Sequence, residues 1–278
     1  MQTLNLIGCG RVGKTLARLW AQQGTWAVQD VLTTRLASAQ AAVAYVGAGH
    51  AVAALPSMRS AAVWMLATPD AHLSEAASNL AAHHAHTPPA IAFHCSGALG
   101  AAALAPLAAR GWHVASAHCI LSFASPDVAL AQFTGTPCAL EGDAVARALL
   151  RPAFEAIGAR CFEVASDDKL LYHAAAVFAT NFLPVLQNVA EDLWASTGVP
   201  AEVVPALRAS LLRNAVDNIT RLGPQAALTG PAARGDTEAI ARQALALQRH
   251  DPLMGAAYEA MSALALRMAR HVQDIPSN

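Results

Sequence analysis

The sequence has little charge and few of the features that mark a membrane, secreted or nucleic-acid-binding chain. Only 13% of its 278 residues are Asp, Glu, Lys or Arg. The formal net charge is −1 and no basic run occurs, so the electrostatic footprint of a nucleic-acid partner is missing. No uninterrupted apolar stretch reaches the length of about 18 residues that a membrane span needs. The richest stretch, Ala41 to Leu55, is broken by Gly47, Gly49 and His50. The opening MQTLNLIG has neither the basic region nor the long apolar region of a signal peptide. Cysteine is sparse, and Cys9, Cys95, Cys119, Cys138 and Cys161 form an odd, scattered set without paired spacing. They read as reduced, mostly buried thiols in a cytoplasmic protein. His83, His84 and His86 precede Pro88-Pro89 without a cysteine or carboxylate nearby in sequence, so a solvated loop is expected there and no metal site.

What is abundant is apolar surface. Hydrophobic residues make up 55% of the chain, which excludes disorder and predicts extensive burial, in a large core or in a subunit interface. The length suffices for two compact domains. Short apolar runs at Leu4–Ile7, Trp26–Leu32, Ala61–Ala67, Ala90–His94, Val114–His118, Thr136–Leu140 and Cys161–Val164 read as strands. Pro137 confines the sixth of these to a sheet edge or a strand start. Helical patterns lie between most of them, which implies a mostly parallel sheet with helices on both faces. The pattern changes near Ser166. From there to about Arg270 no strand signal occurs; Lys169 to Leu193 is apolar on almost every side, and Ala201 to Leu222 carries a broad apolar stripe. A helix apolar all round is expected to be buried all round, and Pro184 to kink or break it. A boundary at about residue 165 therefore separates an α/β domain, 1–165, from an all-α domain, 166–278.

The first strand is followed by Gly8-Cys9-Gly10-Arg11-Val12-Gly13 and then by a helical pattern to about Gln23. A glycine-rich turn in that strand-to-helix context is a dinucleotide-binding fingerprint. Gly8 permits the tight turn, Gly10 lets a pyrophosphate approach the backbone and Gly13 lets helix and strand pack. Arg11, Val12 and the helix amino terminus complete the phosphate site. At the end of the second strand, where NAD sites usually carry an acid, stand Thr33, Thr34 and Arg35. Hydroxyls and a guanidinium suit a 2′-phosphate, so NADP is favoured with NAD possible; Asp30 is the acidic alternative. Thr68-Pro69-Asp70 and Ser96-Gly97 follow strand ends, the edge where open α/β sheets bind ligands. Ordinary turn chemistry explains the same residues.

Ser166-Asp167-Asp168-Lys169 reads as a helix start with a cap hydroxyl. His173 lies one turn after Lys169 on the same face. A lysine near a helix amino terminus and beside a histidine is expected to have a lowered pKa. That suits a general acid that protonates a carbonyl oxygen as hydride arrives; the plainer readings are a solvated lysine and a core histidine. Asn181 lies about 100° further round that helix. Residues 228–236, LTGPAARGD, interrupt the helices with a polar loop that contains Arg234, either a binding loop or a simple connector. Asp236 can cap the following helix.

With these motifs in place, GCGRVG, ATPD, HCSGALG at His94 to Gly100, HCILSF at His118 to Phe123, DDKLLYHAAAVFATNF and LTGPAARGD, the chain resembles a family of bacterial Rossmann-like proteins. They carry a helical C-terminal domain of unknown function, belong to the 6-phosphogluconate dehydrogenase-like superfamily and are described provisionally as NADP oxidoreductases. The resemblance covers essentially residues 1–270. It implies a Rossmann-type α/β fold with a second, all-α domain, and a homodimer paired through the C-terminal helices. In the related ketopantoate reductases a lysine and an asparagine stand four residues apart on this helix. Lys169 matches the lysine, but His173 replaces the asparagine, so that substrate is not implied. Pyrroline-5-carboxylate reductases have a serine–glycine signature at this helix start, which the chain lacks. The expected activity is hydride transfer between NADP(H) and a small carbonyl, hydroxyl or imine compound. Lys169 is expected as proton donor, His173, Ser96, Gly97 and Asn181 as substrate-orienting groups, and Arg234 as an anion contact. The competing expectation is a non-catalytic dinucleotide-binding sensor or assembly protein.

Overall fold

The computed structural model of the chain describes residues 1–84 and 88–273. It begins with β1 (Gln2–Ile7), α1 (Arg11–Gln23), β2 (Trp26–Leu32), α2 (Leu36–Val46) and a short β3 (His50–Val52). There follow β4 (Val63–Leu66), α3 (Leu73–His83), β5 (Ile91–His94), the one-turn α4 (Ala105–Ala108) and β6 (His113–Cys119). Then come α5 (Pro126–Gln132), β7 (Pro137–Gly142), α6 (Ala144–Ala156), β8 (Arg160–Glu163) and α7 (Lys169–Ala176). The remainder is helical: α8 (Phe182–Ser196), α9 (Val204–Ala227), α10 (Thr237–His250) and α11 (Pro252–Gln273). Contacts divide the chain into two compact units, Met1–Ala179 and Thr180–Asn278.

In the first unit the strands form one sheet in the order β3-β2-β1-β4-β5-β6-β7-β8. All neighbours are parallel except β6 and β7, which run antiparallel. Each apolar run read as a strand is one. Pro137 is the first residue of β7, a position where its missing N–H breaks no ladder. The strand that the sequence does not announce is β3, whose three residues are too few to show a period and pair only with β2 at the sheet edge.

Crossover helices cover both faces, so central strands such as β4 are buried at every position. One face packs Leu16 and Trp20 of α1 and Leu150 and Phe154 of α6 against Leu4, Met65 and Phe93. The other packs Leu73, Ala77 and Leu80 of α3 with Leu107 against Ile7, Trp64 and Leu66. Trp20 also donates its indole N–H to the Ala153 carbonyl at 2.9 Å, joining segments 133 residues apart. His83 ends α3 with its ring on the Asn79 carbonyl, and His84 is buried with its ring 4.8 Å from that of Trp64. The expected loop is therefore a helix end at His83, which is exposed as expected, and the expected solvation is corrected for the buried His84; His86 lies outside the described residues.

Strand character stops near residue 165, but the first unit continues to Ala179, because α7 is tied to the sheet through Lys169. Beyond it the helix does not run unbroken to Leu193. A wide π turn, Val177–Asn181, separates α7 from α8. Pro184 explains the break: it lacks an N–H, and in a regular helix its ring would meet the carbonyl four residues back. The expectation that this helix is buried all round fails within one chain, since α8 has no buried residue. By length and mean hydropathy the stretch Ser166–Ser196 could cross a membrane, although no uninterrupted apolar run of about 18 residues occurs in it. It holds the buried Lys169 and, near its end, Glu191 and Asp192.

In the second unit α8 packs on α9, α9 on α11 and α11 on α10. Within α9 the helix is interrupted at Gly223, whose φ is +77°, just before Pro224.

Candidate functional site

The turn from β1 to α1 has the geometry that its glycines require. Gly8 has φ +80°, and a Cβ there would lie 2.6 Å from the Ala67 carbonyl oxygen. Nothing stands within 4 Å of where a Cβ on Gly10 would be, while a Cβ on Gly13 would lie 3.3 Å from Ala67 Cβ. Helix α1 starts with no capping side chain and no acid in its first turn. Its first N–H groups and its positive dipole end are therefore available to an anion. In front of them lies a cavity of about 840 Å³. Gly8 to Gly13, including Arg11 and Val12, form one wall; Thr33, Thr34 and Ser38 form another, and Thr68, Pro69 and Phe123 a third.

Arg35 is exposed at the start of α2 and lies outside the cavity wall, its carbonyl accepting a bond from Thr33 Oγ1 at 2.8 Å. Ser38, one turn into α2, does line the cavity. Asp30 is not a ribose contact: its buried carboxylate accepts from Arg59 Nη2 at 2.6 Å and from the Arg59 N–H at 2.7 Å. Burial pushes this carboxyl up, but the Arg59 hydrogen bonds and charge outweigh it and hold the pKa below the usual value.

A second constellation occupies the carboxyl ends of β4, β5 and β6. Lys169 is 1% exposed. Its Nζ donates to the Ser96 carbonyl and to Ser116 Oγ, both at 3.0 Å. Ser116 Oγ donates to Glu141 Oε2 at 2.9 Å, which also accepts from the Ala101 N–H at 2.7 Å. Ser166 Oγ donates to Glu141 Oε1 at 2.6 Å. Ser96 Oγ donates to Asp70 Oδ2 at 2.7 Å and accepts from the Leu99 N–H at 2.9 Å. His94 Nε2 donates to the Gly100 carbonyl and Nδ1 accepts from the Ser96 N–H. That pattern fixes a neutral imidazole. His118 Nδ1 shares a hydrogen bond with Tyr172 Oη at 2.9 Å, and its ring lies 5.7 Å from that of His173.

Gly97 is required by this crowding, because a Cβ there would overlap His173 Nδ1 and come within 2.9 Å of the His118 ring. Among the described residues, two buried side-chain polar atoms lack a hydrogen-bond partner, Thr68 Oγ1 on the cavity wall and His173 Nδ1 beside Gly97. Burial, with the Lys169 charge second, pushes the His118 pKa down to about 4. Burial also lowers Lys169 below the ordinary lysine value, with Glu141 foremost among the groups that oppose the shift.

Three expectations change. Lys169 is in the first turn of its helix but is not solvated, since its head reaches back into the sheet; removing it therefore strips bonds from a buried network. Its lowered pKa comes first from burial. Ser166 is not a helix cap but a donor to Glu141. The structure brings Lys169, His173, Ser96 and Gly97 together, whereas Asn181 and Arg234 belong to the second unit and are exposed there. Asp236 does cap α10, accepting from the Ala239 N–H at 3.0 Å. Ser38, Ser116, His118, Glu141 and Tyr172 were not read as site residues. A period-two reading of β6 puts Ser116 and His118 on one sheet face, and that signal was available; Glu141 comes opposite Ser116 only through the register of β6 and β7.

Residues 2–133 match the family described as Rossmann-like domain, and residues 136–265 match the domain of unknown function DUF2520. The chain is thus a Rossmann-like protein with a DUF2520 domain, the family that its motifs resemble. The second match begins at the start of β7, so it takes in the last two strands together with the helices. No protein with a curated description matches the chain.

Among solved structures, protein TM1727 of Thermotoga maritima is similar, with 22% identity and a TM-score of 0.77 over 97% of this chain and 99% of that one. A Bacteroides fragilis protein, BF3122, provisionally named as an NADP oxidoreductase, has 21% identity and a TM-score of 0.74 over 96% and 98%. The imine reductase of Myxococcus stipitatus, solved with NADP+, has 19% identity and a TM-score of 0.66 over 97% and 94%. At these identities the likeness concerns the fold.

Proposed function

We propose that the chain is an NADP-dependent oxidoreductase that moves a hydride between NADP(H) and a small carbonyl, hydroxyl or imine compound. The observation that carries this reading is the pair of unpartnered buried atoms at the carboxyl edge of one sheet: Thr68 Oγ1 facing the cavity and His173 Nδ1 beside Gly97. Buried polar groups normally have partners, and a dinucleotide and a polar substrate would supply them. The residues present fit the cofactor. The α1 amino terminus with Gly10 and Arg11 would hold the pyrophosphate. Thr33, Thr34 and Ser38, with Arg35 above them, would hold the 2′-phosphate. Structures of the same fold bind NADP in the imine reductase of Myxococcus stipitatus and the pyrroline carboxylate reductase of Plasmodium falciparum.

The nicotinamide supplies or accepts the hydride. Lys169 donates the proton to the substrate oxygen or nitrogen as negative charge develops there; two of its three N–H groups are bound to Ser96 and Ser116, which leaves one. His173 and the Ser96–Gly97 turn orient the substrate. The apolar, exposed helices of that unit are read as the interface of a homodimer, and the protein as cytoplasmic.

NADPH oxidation over a panel of 2-oxo acids and cyclic imines tests the activity. Lys169→Met should lower turnover by about 10²-fold or more and leave NADPH affinity nearly unchanged. It should also cost about 1–3 kcal/mol of stability, because buried acceptors lose their donor. The deep burial of Lys169 favours a second reading, in which the protein binds the dinucleotide without catalysis. No turnover with any substrate of the panel despite tight NADPH binding would decide for it, whereas full turnover in the Met variant would leave an enzyme with Ser96 or a bound water as the proton donor.

A further inference from the structure

Glu141 is a buried carboxylate without a cation in contact, and Lys169 is a buried ammonium without an anion in contact. Glu141 is 3% exposed, and its three donors, the Ala101 N–H, Ser116 Oγ and Ser166 Oγ, are all neutral. Both acceptors of Lys169 are neutral as well. A charge buried alone is costly, so each needs the other. One hydroxyl joins them: the antiparallel register of β6 and β7 sets Ser116 directly opposite Glu141, and Ser116 Oγ contacts both charged groups. The direction of the chain of bonds is forced. An ammonium only donates, so Ser116 accepts from Lys169 and its single proton goes to Glu141. This locks the lone pair of the hydroxyl towards Nζ.

We propose that Glu141 is a positioning residue that acts through Ser116 to keep the buried Lys169 ammonium charged and aimed. The inference rests on the reading of Lys169 as the proton donor. The other groups facing Lys169 cannot replace this counter-charge. Asp70, after β4, is exposed and is reached only through the Ser96 turn. His94 of β5 is neutral by its bonding pattern, and burial keeps His118 of β6 neutral. Tyr172 of α7 and the thiols of Cys95 and Cys138 are pushed up, with burial among the causes, and stay protonated. His173 of α7 completes the surroundings.

The sequence offers an unusually direct test, because Lys14 and Lys169 are its only lysines. In the full chain labelled with ¹³C-lysine, two Cε resonances can be followed against pH, and Lys14→Arg assigns them. Glu141→Gln keeps the shape and removes the charge. It should lower the Lys169 midpoint by about one pH unit or more and leave Lys14 where it is. Ser116→Ala should shift Lys169 in the same direction, and Glu141→Asp should restore part of the loss. In turnover assays kcat of Glu141→Gln should fall with KM little changed, and the alkaline limb of the pH profile should move down with the Lys169 midpoint. A folded Glu141→Gln protein with an unchanged Lys169 midpoint overturns the proposal. If that variant does not fold, unchanged midpoints in both Ser116→Ala and Glu141→Asp overturn it. The resonance reads the coupling whether or not Lys169 takes part in catalysis. An active Lys169→Met protein therefore defeats the catalytic reading alone, and an unmoved resonance defeats the coupling alone.

Discussion

The two units bury their side chains in opposite ways. In the first, both sheet faces are sealed, and even Lys169, Glu141, Ser116 and His94 are removed from solvent. In the second, Ala232, Ala244 and Gly255 alone among the described residues are buried, while Leu211, Ile219, Leu222 and Leu253 are largely exposed. Both are built from apolar segments, so hydrophobicity alone does not decide burial. A sheet presents two faces that crossover helices can cover within one chain, whereas about a hundred residues of helix have too little mass to cover their own apolar stripes. A second copy of the chain is the cover that the proposed homodimer supplies.

The largest expected effect breaks that contrast at its weak side. Leu211 and Leu222 lie eleven residues apart on one stripe of α9, and each leucine buried at an interface is worth about 1.5–3 kcal/mol. Replacing both with Glu should convert a dimer into a monomer in light scattering at micromolar concentration, with helicity unchanged by circular dichroism. A wild-type protein that is monomeric under those conditions contradicts the dimer.

The next effect belongs to the sealed side. Burial holds His118 down to about 4, and lowers His94 and His84 as well. The unfolded chain takes up these protons near the ordinary histidine value of 6.5, so between the two values it binds more protons than the folded one. The stability is fully present above 6.5 and is lost as pH falls towards 4, on the order of 3 kcal/mol for His118. Urea unfolding followed by tryptophan fluorescence suits this test, because Trp20, Trp26, Trp64 and Trp112 all lie in the first unit. A midpoint that stays flat from pH 7 to pH 4.5 would count against the buried histidines.

The smallest effect concerns the rim of the cavity. Arg35→Ala should weaken NADPH by about 1.5 kcal/mol, the low end for a charge-assisted contact, and leave NADH unaffected. Ser38→Ala should add a loss of similar size. Equal affinity of the unaltered protein for both dinucleotides in a calorimetric titration would remove the 2′-phosphate assignment.

Much of the first unit was legible because its signals are local. The strand runs are four to seven residues long, and the turn from Gly8 to Gly13 carries its own context. The polar network was harder to see, because its members meet through sheet register: Ser116 and Glu141 are 25 residues apart and Lys169 reaches Ser96 across 73. Lys169 stands out by its place at a helix start beside His173, yet that place says nothing of the core into which the structure puts its head. The length of a lysine side chain, which can bring its head back under the sheet, was the missing consideration. Asp30 shows the reverse case. Its position suited a ribose contact, and only the tertiary approach of Arg59 withdraws it.

The bond from Trp20 to Ala153 also sets a timetable. Helix α1 is made before α6, and the carbonyl that its indole needs follows 133 residues later. At ordinary synthesis rates of 5–20 residues per second this is a wait on the order of ten seconds, during which the apolar side of α1 lacks its packing against α6. A nascent chain stopped before α6 should therefore recruit holding chaperones, and one released after it should not.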